Sequence, residues 1–273
     1  MPLARIQVDI LRLLAAHRDP ESYVAGSTPL NVAAARYSSD IDVFHDREER
    51  VAQAAKQDSS VLQGNGFDLH WVRREPAMYS AVARRHEDAT KLEWVVDADF
   101  RFFPTVADDL FGYMLHPVDL ATNKMMAAAG RREPRDVVDL LTIHDRILPV
   151  GAVVWASVGK QLGFTPEGLI NEVRRQARYT GADFRRLASD PPVDPSVTMT
   201  RLRQVLDEAE EFVRQMPTAK AGLLFLRDGQ VVQPDPRRLD AYQTHAGQRR
   251  GQWPSSTEIS SAMLEQYGMW RQS

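Results

Sequence analysis

Residues 39–44 read Ser-Asp-Ile-Asp-Val-Phe, and no other run constrains the fold of this 273-residue chain as strongly. Alternate side chains of an extended strand share a face, so Asp40 and Asp42 are carried to one side and Ile41 and Val43 to the other. Such a strand borders a core on one face and leaves carboxylates on the other. Just ahead of it, a short strand at 23–25 ends at Gly26-Ser27. The Ala-rich stretch 28–36 between them has helical composition, with Pro29 acceptable in its first turn. The expected order is strand, Gly-Ser, helix, and a strand bearing Asp-x-Asp.

Elsewhere the hydrophobic pattern divides the chain. An amphipathic helix is expected over residues 3–16, where Leu3, Ile6, Ile10, Leu13 and Leu14 recur at helical spacing. A charged helix follows at 46–57, and β-rich runs at 69–73 and 91–96 extend the sheet. From about residue 115 helical patterns take over, at 117–129, 134–147, 153–162, 166–179 and 199–216. Asp228-Gly229 between two apolar runs predicts a hairpin over 223–232. Residues 233–256, rich in Pro, Gln and Arg, read as irregular, and a last helix is expected from Thr257, as N-cap, to Trp270. The expected fold class is α/β: a small mixed sheet with helices on one side over residues 1–115, then a mainly helical domain over 116–273.

Composition removes several function classes. The chain has no cysteine, which excludes disulfides, thiolate metal sites and a Cys nucleophile. A net charge of −3 gives no global field toward nucleic acid or anionic membrane. Arg5, Asp9 and Arg12 interrupt the opening stretch, unlike a signal peptide, and the apolar run 147–159 is too short to span a bilayer. The expectation is a soluble, cytoplasmic protein with no membrane partner and no DNA partner. Its seven histidines show no metal-ligand spacing. Arginines 174, 175, 178, 185 and 186 share their segment with Glu167, Glu172, Asp183 and Asp190, so they read as a solvated face, still compatible with an RNA acceptor.

Two carboxylates one residue apart on a strand suit Mg²⁺, with Mn²⁺ as the alternative, because hard cations take oxygen ligands and keep substrate phosphates in their shell. Metal held there can align the oxygens of a phosphoryl displacement. Gly26 permits close backbone approach to a triphosphate, and Ser27, Thr28 and the amides opening the next helix can donate to its oxygens. Either motif alone is commonplace, Asp-x-Asp as an exposed sheet edge and Gly-Ser as a loop. Their order and spacing favour the functional reading.

Gly26-Ser27 with Asp40-x-Asp42 resembles the first motif of the DNA polymerase β-like nucleotidyltransferases. The later stretch Asp119-Leu120-Ala121-Thr122-Asn123-Lys124, followed by Arg131 and Arg135-Asp136-Val137-Val138-Asp139-Leu140, resembles the AbiEii/AbiGii toxin branch. The resemblance covers roughly residues 20–145 and implies a Lys on one helix, Lys124, and an Asp opening the next, Asp136, both facing the nucleotide. Lys124 also stands among Ala and Met on its helix, an unusual setting for a merely solvated Lys. Asp136 in a first helical turn is equally consistent with dipole stabilisation, and Asp139 lies on a similar face. For a third acid, the resemblance points to a neighbouring strand; Glu93 is favoured, ahead of Asp97, with Asp99 further out. Arg101 is a candidate for phosphate or acid contact. The implied activity is NMP transfer from an NTP to an acceptor such as tRNA, by a toxin with a cognate antitoxin. A small-molecule nucleotidyltransferase of the antibiotic-modifying kind and a non-catalytic nucleotide-binding protein are the alternatives.

Overall fold

A computed structural model of the chain describes residues 3–249 other than Ala35, Asp99 and Leu162. The expected helix from Thr257 to Trp270, and Asp99, lie outside the described residues. In chain order the first strands are β1 (Ser22–Ala25), β2 (Asp40–His45), β3 (Asp68–Glu75), β4 (Met78–Arg85), β5 (Asp88–Val96), β6 (Phe100–Arg101), β7 (Val106–Asp108) and β8 (Gly112–Met114). Helices α1 (Arg5–Leu14), α2 (Ser27–Leu30) and α3 (Glu48–Gly64) are interspersed with them. Two compact units emerge: one within Met1–Asp99 and Pro104–His116, the other comprising Phe100–Phe103 and the chain from Pro117 onward.

In the first unit seven strands form one mixed sheet in the order β3-β4-β5-β2-β1-β8-β7. β2 runs parallel to β5 and antiparallel to β1. Ile41 and Val43 of β2, Leu92 and Trp94 of β5, and Ala81 and Ala83 of β4 are buried in one core with α1 and α3. Burying that apolar face is the main stabilisation of the unit. Buried polar ties fix the helices on it. Asp58 of α3 accepts from Trp94 Nε1 at 2.7 Å and from Arg18 Nη2 at 2.5 Å. Gln7 of α1 donates to the carbonyl of Ser38 at 3.0 Å, just before β2.

Departures from the expected pattern have local causes. The helix expected over 28–36 is a single turn, α2, continued by a 3-10 turn at Asn31–Ala33. Asn31 and the β-branched Val32 are weak helix formers, and the chain must reverse here to enter β2 against β1. The charged helix extends to Gly64, well beyond 57. β4 was hidden from the pattern because Ser80 and Ala81 break its aromatic and β-branched run, and β7 and β8 are only three residues long.

The second unit is mainly helical: α4 (Pro117–Gly130), α5 (Pro134–Arg146), α6 (Val150–Ser157), α7 (Pro166–Gln176), α8 (Gly181–Phe184) and α9 (Pro195–Gln215). α6 starts and stops earlier than expected; Gly159, just after it, lies against Gly222, where any Cβ would sit 2.9 Å from the Gly222 carbonyl oxygen. β9 (Leu223–Arg227) and β10 (Gln230–Val232) form the expected hairpin, with positive φ at both Asp228 and Gly229. β11 (Gln243–Ala246) adds a third strand within the stretch expected to be irregular. Asp119 ties Phe100–Phe103 into this unit: its carboxylate accepts from the amides of Phe102 (2.9 Å) and Phe103 (3.0 Å). Among the described residues no helix is long and apolar enough to cross a membrane.

Candidate active site

The pairing register places the acids. Asp42 on β2 is the direct neighbour of Glu93 on the parallel strand β5, and Asp40 lies two residues back on the same face. One oxygen from each of Asp40, Asp42 and Glu93 lies within 4.8 Å of the others. All three residues are half-buried, on the sheet face opposite Ile41, Val43, Leu92 and Trp94. Among the described residues this is the one group of three or more potential metal-ligating side chains. Hard carboxylate oxygens fit Mg²⁺ or Mn²⁺ by donor type, and a divalent cation would relieve the repulsion of three converging charges. Lys91 Nζ sits 2.5 Å from Glu93 Oε1 and offsets part of that charge.

The Gly-Ser turn is built against this cluster. Gly26 has φ +69° and ψ −144°, a conformation open essentially to glycine. Thr28, fully buried, donates its hydroxyl to the carbonyl of Asp40 at 2.6 Å, and Ser38 donates to the same carbonyl at 2.9 Å. Thr28 is thereby a positioning residue for the Asp40 strand end. Ser27 is also buried, at the start of α2. Asp97, the second candidate for the third acid, is engaged elsewhere: Tyr23 donates its hydroxyl to it, and its own carboxylate accepts from the Ala98 amide at 2.7 Å.

The remaining candidates fall in the second unit. Lys124 is buried on α4, with its ammonium 2.8 Å from Asp139 and 3.6 Å from Asp136 of α5. Arg131 clamps Asp136 through two bonds of 2.8 and 3.0 Å. Asp139, which the sequence offered only as an understudy to Asp136, is thus the nearer partner of Lys124. Tyr179, beside them, has its hydroxyl pKa pushed up to about 12 by burial and by the charge of Asp136. Arg101 is buried near Asp119, whose own pKa is raised by burial, an effect tempered by Lys160 at 3.7 Å. Of the basic run at 174–186, Arg174 is neutralised by Asp207 and Glu210 and Arg175 by Glu172.

No protein-family profile matches the sequence, and no curated protein matches it. Among solved structures, MenT4, a nucleotidyltransferase toxin from Mycobacterium tuberculosis H37Rv, aligns with a TM-score of 0.52 at 14% identity, over 79% of this chain and 84% of its own. A candidate nucleotidyltransferase from H. pylori aligns at TM-score 0.46 and 14% identity, over 77% of this chain and 93% of its own. An antigenic nucleotidyltransferase-like protein from Paracoccidioides brasiliensis aligns at 0.41 and 13%, over 64% and 90%. Of these three, MenT4 alone passes 0.5, and at such identity the likeness concerns architecture. The chain has the nucleotidyltransferase fold seen in the toxin MenT4.

Proposed function

We propose that the chain transfers a nucleoside monophosphate from an NTP to an acceptor hydroxyl and releases pyrophosphate. The observation that carries this reading is the convergence of Asp40, Asp42 and Glu93 next to the Gly26-Ser27 turn. Asp40 and Asp42 would hold the divalent metal, which when bound supplies Lewis-acid stabilisation of the phosphoryl oxygens. Glu93 accepts the proton of the acceptor hydroxyl as that oxygen attacks the α-phosphorus and the bond to pyrophosphate breaks. Gly26 keeps side-chain bulk away from the acids, and the Ser27 hydroxyl with the turn amides binds phosphate oxygens. Lys124, set between Asp136 and Asp139, offsets charge on the leaving pyrophosphate, a role that rests on the AbiEii/AbiGii resemblance. Arg101 is the further candidate for a phosphate contact.

The acceptor in this reading is RNA, with tRNA as the leading case. Exposed Arg178, whose carbonyl accepts from Arg132 at 2.5 Å and whose own guanidinium has no carboxylate partner among the described residues, supports a polyanionic acceptor. The biological setting we propose is a cytoplasmic toxin restrained by a cognate antitoxin. Incubation of the purified protein with each α-labelled NTP, Mg²⁺ and total RNA tests the reaction. Label in RNA with wild type and none with Asp42→Ala is the expected result. No incorporation into any acceptor, from any NTP, would overturn it.

A further inference from the structure

On the sheet face opposite the acids, α3 and the β3–β4 hairpin enclose a cleft of about 450 Å³. The register fixes its side: Trp71 pairs across β4 with Ala81, which pairs with Leu92, the neighbour of Ile41. This is the apolar face, so a full sheet thickness separates the cleft from Asp40, Asp42 and Glu93. The cleft belongs to no part of the transfer chemistry described for those acids.

Its lining is specific in chemistry. Trp71 is braced by Trp94 at 5.8 Å and, edge-on, by Tyr79 at 6.0 Å, so its indole is held rather than loose. Arg74 lays its guanidinium 4.4 Å over the Trp71 ring. Lys56 lines the α3 side, with Ser60 and Gln63 one and two turns further along. Among the described residues no acidic side chain lines the cleft. Lys56 and Arg74 have no carboxylate partner among the described residues, a state they share with Arg5, Arg12 and Arg84 of the same unit; what sets them apart is that they line one cleft beside an indole. An aromatic floor, a stacked guanidinium and an ammonium in one cleft match a ligand that carries both a flat ring and an anion. A guanidinium plane on indole offers a stacking surface to a nucleobase, the ammonium meets a phosphate as a point charge, and Gln63 can bond sugar or base edges.

We propose that this cleft is a second binding site, distinct from the acid cluster, for a nucleoside phosphate, with the base stacked on the Arg74–Trp71 pair and the phosphate held by Lys56. The ligand is either a free mononucleotide or one nucleotide of a single-stranded RNA, two sources with the same chemistry. The site does not depend on the chain being a transferase.

Calorimetry of the full chain in EDTA, with AMP, UMP and a hexameric oligoadenylate as probes, tests it. Binding of a monophosphate or of the hexamer is expected, weakened at least tenfold by Lys56→Glu and by Arg74→Glu and unchanged by Asp42→Asn. Lys56 and Arg74 are exposed, so these reversals should leave Tm unaltered, which a melt checks. A hexamer binding more than tenfold tighter than AMP identifies a strand-holding site; equal affinities identify a free-nucleotide site. Absence of binding by all three probes overturns the proposal. So does binding lost in Asp42→Asn but kept in Lys56→Glu, or displacement of AMP by inorganic phosphate at equal concentration, which would show that no base is recognised.

Discussion

Gly26 and Asp42 share a volume that admits only one side chain: a Cβ at position 26 would lie 2.0 Å from Asp42 Oδ2. The turn and the acid are therefore one device, although fifteen residues of sequence lie between them. Gly26→Ala is expected to displace the Asp42 carboxylate and to strain a backbone at φ +69°. The strain alone should cost about 1–3 kcal/mol. Nucleotide transfer should fall at least a hundredfold while the variant remains folded, as steady-state kinetics beside a thermal melt will show; wild-type activity in Gly26→Ala would separate the turn from the site.

Metal should stabilise the native chain through the acid cluster. Ligand binding to the folded state raises stability by about 2.7 kcal/mol at a hundred times Kd. Mg²⁺ or Mn²⁺ is expected to raise the Tm of wild type by several degrees and that of Asp42→Ala little or not at all. Without metal, Asp42→Ala should be no less stable than wild type, because one of three converging carboxylates is gone. Equal metal-induced shifts in the two proteins would place the cation elsewhere.

The proposed function would give Lys124 a second demand beside its structural one. Its ammonium is buried against Asp139, so Lys124→Ala leaves a buried carboxylate without that cation and should cost about 3 kcal/mol. A loss of activity in that variant alone would then be ambiguous. The double variant Lys124→Met, Asp139→Asn should recover most of the stability, as denaturant melts will report, and remain inactive. Recovered activity in the double variant would make the pair purely structural.

Acid should destabilise the first unit through His45. Burial depresses its pKa from 6.5 to about 3, with Arg18 and Arg50 adding to the effect. Below 6.5 the unfolded chain takes up a proton that the folded chain refuses, so this contribution to stability is complete above 6.5 and is lost as pH falls toward 3. The slope is about 1.4 kcal/mol per pH unit in that window. Urea melts at pH 7.5 and 5.5 should differ by about 1.4 kcal/mol more in wild type than in His45→Phe. Identical pH dependence in the two would remove His45 as the cause.

Much of the acid site was legible because strand alternation is a strict rule. Asp40 and Asp42 had to share a face once β2 was recognised, and Glu93 was the acid whose neighbours Leu92 and Trp94 demanded the same alternation. What could not be read was register. Nothing in the sequence says that Asp42 sits beside Glu93, since the two strands are far apart in the chain and their alternation alone leaves the register open. The cleft at Trp71 was invisible for a related reason: it depends on β4, whose mixed composition conceals it, and on a bulge between Trp71 and Arg73 that turns Arg74 over the indole. Lys124 stood out by its apolar neighbours, yet its preference for Asp139 over Asp136 is a matter of helix packing alone.

The four residues Phe100–Phe103 give the chain an inheritance that a beaded pair of domains lacks. They belong to the second unit, yet the sequence returns to the first for Pro104–His116 before crossing again. No single crossover between two related genes can exchange one unit whole. A break at residue 116 would leave Phe102 and Phe103, both fully buried, on a fragment without Asp119 to hold their amides or a core to cover their rings. A truncation placed at residue 116 therefore cuts through the second unit instead of freeing the first.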